Sequence, residues 1–237
     1  NPSFEDYSSC PDFASQLEKA VPWSNPNAGT PEFFNACASW SSYVSLPSTP
    51  TGGFQMPRTG DGFVGLFVYR TDVANMREYA QVQLTQPLES GKCYLVEFFV
   101  NTPNDHALVI DRVGAMLSTG PVSSIGAQPI GGTVQVENTA GQLLTDTMGW
   151  TRISGHFMAA GGEDHITIGN FNNDTQTMSQ VYNPGVWYAI SSYLYIDDVR
   201  VEEVPLDVYL GADTSICVDE TLVVDASTNA ETYHWNN

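Results

Sequence analysis

Short runs of alternating or continuous apolar residues recur along this chain, each closed by Gly, Pro, Asn, Asp or Ser, and no long amphipathic helix pattern separates them. A buried helix face needs apolar residues every three or four positions, whereas a half-buried strand needs them at every second one. The strand candidates are 62–69, 77–84, 93–101, 107–117, 150–158, 165–171 and 192–201, and the best helical stretch is the short segment 13–20. Many short strands with few helices predict an all-β fold, a jelly-roll β-sandwich. The 237 residues, 42% of them hydrophobic, suffice for one large domain and a fragment of another. Pro205 follows the last strong strand pattern, and a new one starts at Val208. Residues 1–204 therefore read as the jelly roll. Residues 205–237 read as a linker and the start of a further β-domain, too short to close a core of its own.

Charge narrows the partners. The chain carries a formal charge of −19 with only 8 Lys and Arg. Such a surface repels phosphate backbones, so no nucleic acid is expected as partner. No apolar run approaches the roughly 18–20 residues of a membrane helix, so no membrane insertion is expected either. The abrupt, strand-like start at Asn1 reads as a mature chain whose export signal has been removed. Of the four cysteines, Cys10 and Cys37 lie in irregular, Pro-rich sequence, where a disulfide would tie down a long strandless stretch outside the cell. Cys93 falls inside a strand pattern and reads as a packed thiol. No Cys or His spacing suggests zinc.

Parity along 193–201 places Tyr193, Tyr195, Asp197, Val199 and Val201 on one face. If the valines point into the core, so does Asp197, and an inward carboxylate needs a partner. Glu5 is the candidate, since first and last strands pair in jelly rolls. The bounding motifs Asn1-Pro2-Ser3-Phe4-Glu5 and Tyr195-Ile196-Asp197-Asp198-Val199 resemble those of galactose-binding-like jelly rolls of the carbohydrate-binding-module type. The resemblance implies a structural Ca²⁺ held by Glu5 and Asp197, with backbone carbonyls from the opening strand and from a loop such as 58–62.

A further resemblance covers most of residues 1–204. The segments 1–11, 29–37, 57–60, 77–79 and 168–171 are similar to a module of secreted Bacteroidetes proteins, and 210–235 resembles the opening of the Ig-like or PKD-like repeats that follow it. The resemblance implies an extracellular, secreted or cell-surface location. Export by type IX secretion, or a link to gliding motility, follows only by analogy.

Ligand candidates come from residue chemistry. Sugars need aromatic faces for stacking and planar amides or carboxylates for hydroxyls. The non-core stripe Tyr79, Gln81 and Gln83 offers both, and Trp187 stands nearby in a loop-like segment. Trp23, Trp40, Tyr69 and Tyr188 are further rim candidates. The oxygen-rich segment 170–174 lacks the glycine and distal glutamate of an EF-hand and reads as a solvated turn. Neither a Gly-x-Ser-x-Gly elbow nor a His-Glu-x-x-His motif nor a phosphate loop is present. The expected function is a non-catalytic adhesion or glycan-binding module. The alternative is a structural module of a surface fibre, packed on neighbouring modules or forming a homo-oligomer.

Overall fold

The computed structural model describes residues 1–49, 53–186 and 188–204. The expected linker and partial Ig-like domain at 205–237 lie outside the described residues, as does Trp187. The strands, in chain order, are Glu32–Asn35 (β1), Ser48–Thr49 (β2), Gly53–Phe54 (β3), Gly62–Arg70 (β4), Tyr79–Gln83 (β5), Cys93–Asn101 (β6), Leu108–Ile110 (β7), Gly114–Ser118 (β8), Val136–Glu137 (β9), Thr151–Met158 (β10), His165–Gly169 (β11), Ser179–Val181 (β12) and Ser191–Glu203 (β13). The expected helical stretch 13–20 contains only a 3-10 turn at Leu17–Lys19.

Two sheets face each other. One runs β1-β4-β13-β6-β10 and the other β5-β11-β8-β9. The antiparallel pairings of the larger sheet place the late strand β13 between β4 and β6. Between the sheets lies an aliphatic and aromatic core. Val64, Leu66 and Val68 enter it from β4, Val96, Phe98 and Val100 from β6, and Leu194 and Ile196 from β13; Ile166 and Ile168 meet them from β11. Each full burial of such a side chain contributes roughly 1.5–3 kcal/mol. The all-β sandwich expected from the strand patterns is therefore the fold.

Three local readings change. The stretch 107–117 is two strands, not one, because the chain turns at Asp111, whose carboxylate accepts the Met178 and Gly141 N–H groups at 2.8 and 2.7 Å. The stripe on β5 is not a free face. Tyr79 is fully buried and Gln81 is 4% exposed. The Tyr79 hydroxyl donates to the Asn170 carbonyl, and Gln81 Oε1 accepts from Val122 N–H and Thr167 Oγ1. The irregular segment carrying Val122 and Ile130 packs over Tyr79. Alternation reports two faces but not a loop that covers the second one, so Tyr79 and Gln81 offer no solvent-facing surface to a sugar.

The third change concerns Asp197. The β13–β6 register shifts between Asp197 and Arg200, where Asp198 takes a φ of 50°. The bulge reverses the parity. Leu194, Ile196 and Val199 all face the core, while Tyr193 and Tyr195 belong to a separate cluster on the opposite face. By alternation Asp197 lies with the tyrosines on the outer face of the sheet. It is nevertheless 0% exposed, because the turn 58–62 closes over it.

Cys10 and Cys37 form a disulfide with their Cα atoms 5.7 Å apart. The bond links the strandless opening segment to the loop that follows β1. Replacing both cysteines with serine is expected to lower stability by roughly 3 kcal/mol, from the loop entropy released in the unfolded chain. Urea denaturation of the oxidised protein and the double variant checks this; equal midpoints would contradict it. Cys93 is free and partly buried.

Candidate functional site

The outer face of the five-stranded sheet carries an aromatic cleft. Its floor follows from register. Glu32 on β1 and Tyr195 on β13 both pair with Gly65 of β4. Gly65 has to be glycine, since a Cβ there would lie 2.0 Å from the Tyr193 hydroxyl. The missing side chain lets the Tyr193 ring lie across β4 and its hydroxyl donate to Glu32 Oε2 at 2.5 Å. Phe34 and Phe63 stack on each other, and Tyr195 meets Phe34 edge-on at 5.2 Å and Phe63 at a tilt at 4.5 Å.

The walls come from loops. His106 lies between Tyr188 and Tyr193, stacked on each at 4.7 and 5.0 Å. Phe67 meets Tyr193 edge-on at 4.8 Å. Across the cleft, Phe13 and Tyr43 make an edge contact at 5.4 Å. They belong to the two segments joined by the disulfide, so the bond also fixes this wall. The enclosed space is about 240 Å³, lined by Phe13, Glu32, Tyr43, Phe67, His106 and Tyr188 among others. Phe13 is 59% exposed and Tyr43 45% exposed, so their rings stand at the mouth.

Electrostatics set the character of the cleft. Burial and the neighbouring Glu78 hold the Glu32 carboxyl well above the usual carboxylate range, although the Tyr193 hydroxyl and the Ser15 N–H lean against that by donating to it. Glu78 is fully buried and raised as well, mainly by desolvation. Its oxygens accept from Thr30 and from the Phe67 N–H. Burial pushes His106 down to about 3, and its Nδ1 shares a 3.0 Å hydrogen bond with Ser191 Oγ. The folded state thus holds a neutral imidazole, while the unfolded chain takes up a proton near pH 6.5. The stability from His106 is complete above that value and falls as pH drops toward 3. Between pH 7 and 5 the loss is about 2 kcal/mol. Denaturant titrations at both pH values should show the stability difference between wild type and His106→Phe shrink by that amount; an unchanged difference would contradict it.

A second constellation lies on the same sheet face. Glu5 accepts the Asp61 and Gly62 N–H groups at 2.9 and 3.0 Å. Asp197 accepts the Arg58 N–H at 2.8 Å and its own neighbour's, from Asp198, at 2.7 Å. The opening segment and β13 therefore clasp one turn from two sides, and 58–62 is the loop that the sequence singled out. Burial and the charge of Asp198 push Asp197 up to about 8. Asp198 is paired with the Arg58 guanidinium, which also sits 3.4 Å above the Phe99 ring. The contacts to Glu5 and Asp197 are N–H donors rather than the carbonyls expected around a cation. Among the described residues no group of three or more His, Cys, Asp or Glu converges as a metal site. Glu5 and Asp197 spend their oxygens on backbone N–H groups, and Asp198 is neutralised by Arg58.

The segment 170–174 turns its polar groups toward the protein. Asn170 is buried and donates to the Val68 carbonyl, and Asp174 pairs with the buried Arg77.

Sequence reasoning named Tyr188 as a rim candidate but missed Phe13, Glu32, Tyr43 and His106. The signal within reach was the alternation of Glu32 and Phe34 on β1, of Phe63, Gly65 and Phe67 on β4, and of Tyr193 and Tyr195 on β13. On β4 and β13 an aromatic set opposes an aliphatic one, while on β1 Phe33 faces the core opposite Glu32 and Phe34.

No family model matches the chain, and no curated protein matches it either. Among solved structures it is similar to the CBM22-1 xylan-binding domain of Xyn10C from Paenibacillus barcinonensis, with 10% identity, a TM-score of 0.43, and coverage of 85% of this chain and 91% of that one. It is also similar to the K1 cleaved adhesin domain of Lys-gingipain from Porphyromonas gingivalis W83, with 14% identity, a TM-score of 0.42, and coverage of 86% and 96%. The K2 cleaved adhesin domain of Lys-gingipain gives 12% identity, a TM-score of 0.44, and coverage of 85% and 96%.

Proposed function

We propose that this chain is a non-catalytic, extracellular module that binds glycan in the outer-face cleft. The observation that carries the reading is the cleft itself, with Phe13 and Tyr43 presenting exposed rings at its mouth and Glu32 inside. Aromatic faces stack on the C–H surface of sugar rings, and a carboxyl orients a hydroxyl or amine. The disulfide suits an oxidising compartment. Among the described residues no helix is long and apolar enough to cross a membrane. In the same proposal, Glu5 and Asp197 hold a Ca²⁺ that fastens the opening segment to β13 across the turn 58–62. What supports the ion is that Asp197 is buried and its bonded partners are backbone N–H groups, with no cationic side chain among them.

A glycan array probed with wild type and with the double variant Phe13→Ala/Tyr43→Ala tests the binding reading. Saccharide signals lost in the variant are expected. An array blank for wild type in the presence of Ca²⁺, or signals untouched by the variant, would count against it. A second reading, an assembly module packed on neighbouring modules or on copies of itself, draws on exposed Trp40 and Met148, each 89% accessible. Sedimentation of the full chain as a strict monomer would remove the homo-oligomer.

A further inference from the structure

We propose that the cleft selects a cationic saccharide, an amino sugar with a free ammonium group, over its neutral counterparts. The inference deepens the glycan-binding reading and rests on it. The side chains lining the cleft are aromatic apart from Ala14, Glu32 and His106, and none is a lysine or arginine. A ring of aromatic faces around one carboxyl is the chemistry that recognises organic cations, because each face is electron-rich and the carboxyl supplies the counter-charge.

The charge balance around Glu32 points the same way. Its bonded partners are the Tyr193 hydroxyl and the Ser15 N–H, both neutral donors. Glu78 behind it adds a second carboxyl whose bonded partners are Thr30 and the Phe67 N–H, again neutral. Arg70 lies 5.4 Å from the Phe67 ring and its charge partly offsets the rise of Glu78, but its Nε and Nη2 are both taken by Asp72. His106 stays neutral under burial. Glu32 thus stands in an aromatic box with a second carboxyl, Glu78, behind it, and the bonded partners of both are neutral. An ammonium entering from the mouth passes between the rings of Phe13, Tyr43 and Tyr188 and then meets Glu32, where its charge favours the ionised carboxylate that burial and Glu78 disfavour in the empty cleft. The formal charge of −19 draws cations toward the protein as a whole.

The experiment is calorimetric titration of the full chain with glucosamine, glucose and N-acetylglucosamine oligomers of equal length, and with tetramethylammonium. Glucosamine oligomers should bind about tenfold tighter or more than the other two, as a charge-assisted hydrogen bond requires. In Glu32→Gln the preference should vanish. Phe13→Ala, at an exposed position that leaves the core intact, should weaken glucosamine binding several-fold. Neutral and cationic oligomers binding alike would overturn the inference while leaving glycan binding in place. A preference retained in Glu32→Gln would overturn it too, by placing the cation elsewhere. Tetramethylammonium binding without glucosamine binding would overturn the amino sugar as the source of the cation. No saccharide binding of any kind would sink both this inference and the reading beneath it.

Discussion

Replacing Asp197 with alanine is expected to destabilise the protein by about 3–5 kcal/mol, the scale set by stranding several buried polar groups. Two effects compete. Removing a fully buried carboxylate relieves an unfavourable charge, whose cost shows in the rise of Asp197 to about 8. The same change leaves the N–H groups of Arg58, Thr59 and Asp198 without their acceptor. Each lost acceptor costs roughly 1–3 kcal/mol where water cannot replace it, so the loss wins. Asp197→Asn keeps the shape and one acceptor oxygen and should fold. It then isolates the proposed Ca²⁺. At about a hundredfold excess over its dissociation constant the ion adds roughly 2.7 kcal/mol to the folded state, or about 5–10 °C in melting temperature. Wild type should show that rise between chelator and Ca²⁺, while Asp197→Asn and Glu5→Gln show none. Identical wild-type melting curves in the two conditions would remove the ion and leave Glu5 and Asp197 as purely hydrogen-bonded clasps on the turn.

Arg77→Met should have a comparable effect, again about 3–5 kcal/mol, since it strands two backbone carbonyls as well as the half-buried Asp174. Arg77 is 0% exposed, yet it is fully engaged. Its Nε donates to the Asn172 carbonyl at 3.1 Å, Nη1 to the Met76 carbonyl at 2.8 Å and Nη2 to Asp174 Oδ1 at 2.9 Å. The guanidinium therefore pins the turn 170–178 against the start of β5. Methionine fills much of the space but satisfies none of these acceptors. Arg77→Lys keeps the charge without the planar fork and should recover only part of the loss. Urea midpoints of the three proteins check the ordering wild type, lysine, methionine; equal midpoints would show that the turn does not depend on this side chain.

Much of the fold was legible because strand patterns are local. The run 93–101 matches β6 residue for residue, and the limits of β10, β11 and β13 fall within two residues of their expected positions. The Cys10–Cys37 bond followed from two cysteines in strandless sequence. Glu5 and Asp197 each bond the turn 58–62, Glu5 through the Asp61 and Gly62 N–H groups and Asp197 through those of Arg58 and Thr59. What sequence could not supply is what depends on covering and on register. Tyr79 and Gln81 alternate as an exposed stripe should, but a loop more than forty residues further on, carrying Val122 and Ile130, lies over them. Parity carried Asp197 into the core because one residue, Asp198, interrupts it. The cleft has no local motif at all. Its residues lie at 13, 32, 43, 67, 106, 188 and 193, and strand pairing at Gly65, the disulfide and the stacking of His106 bring them to one place.

The central claim is that saccharide is held between the rings at the mouth of that cleft. Mapping of aromatic side-chain resonances during titration with an array-positive oligosaccharide tests it most directly. The account predicts that Phe13, Tyr43, Tyr188 and Tyr193 shift together in a single saturable event, while buried Tyr79 does not move. Shifts concentrated elsewhere, as along the groove beside Trp23 and Tyr94 at the end of β5, with the cleft rings unchanged, would contradict it.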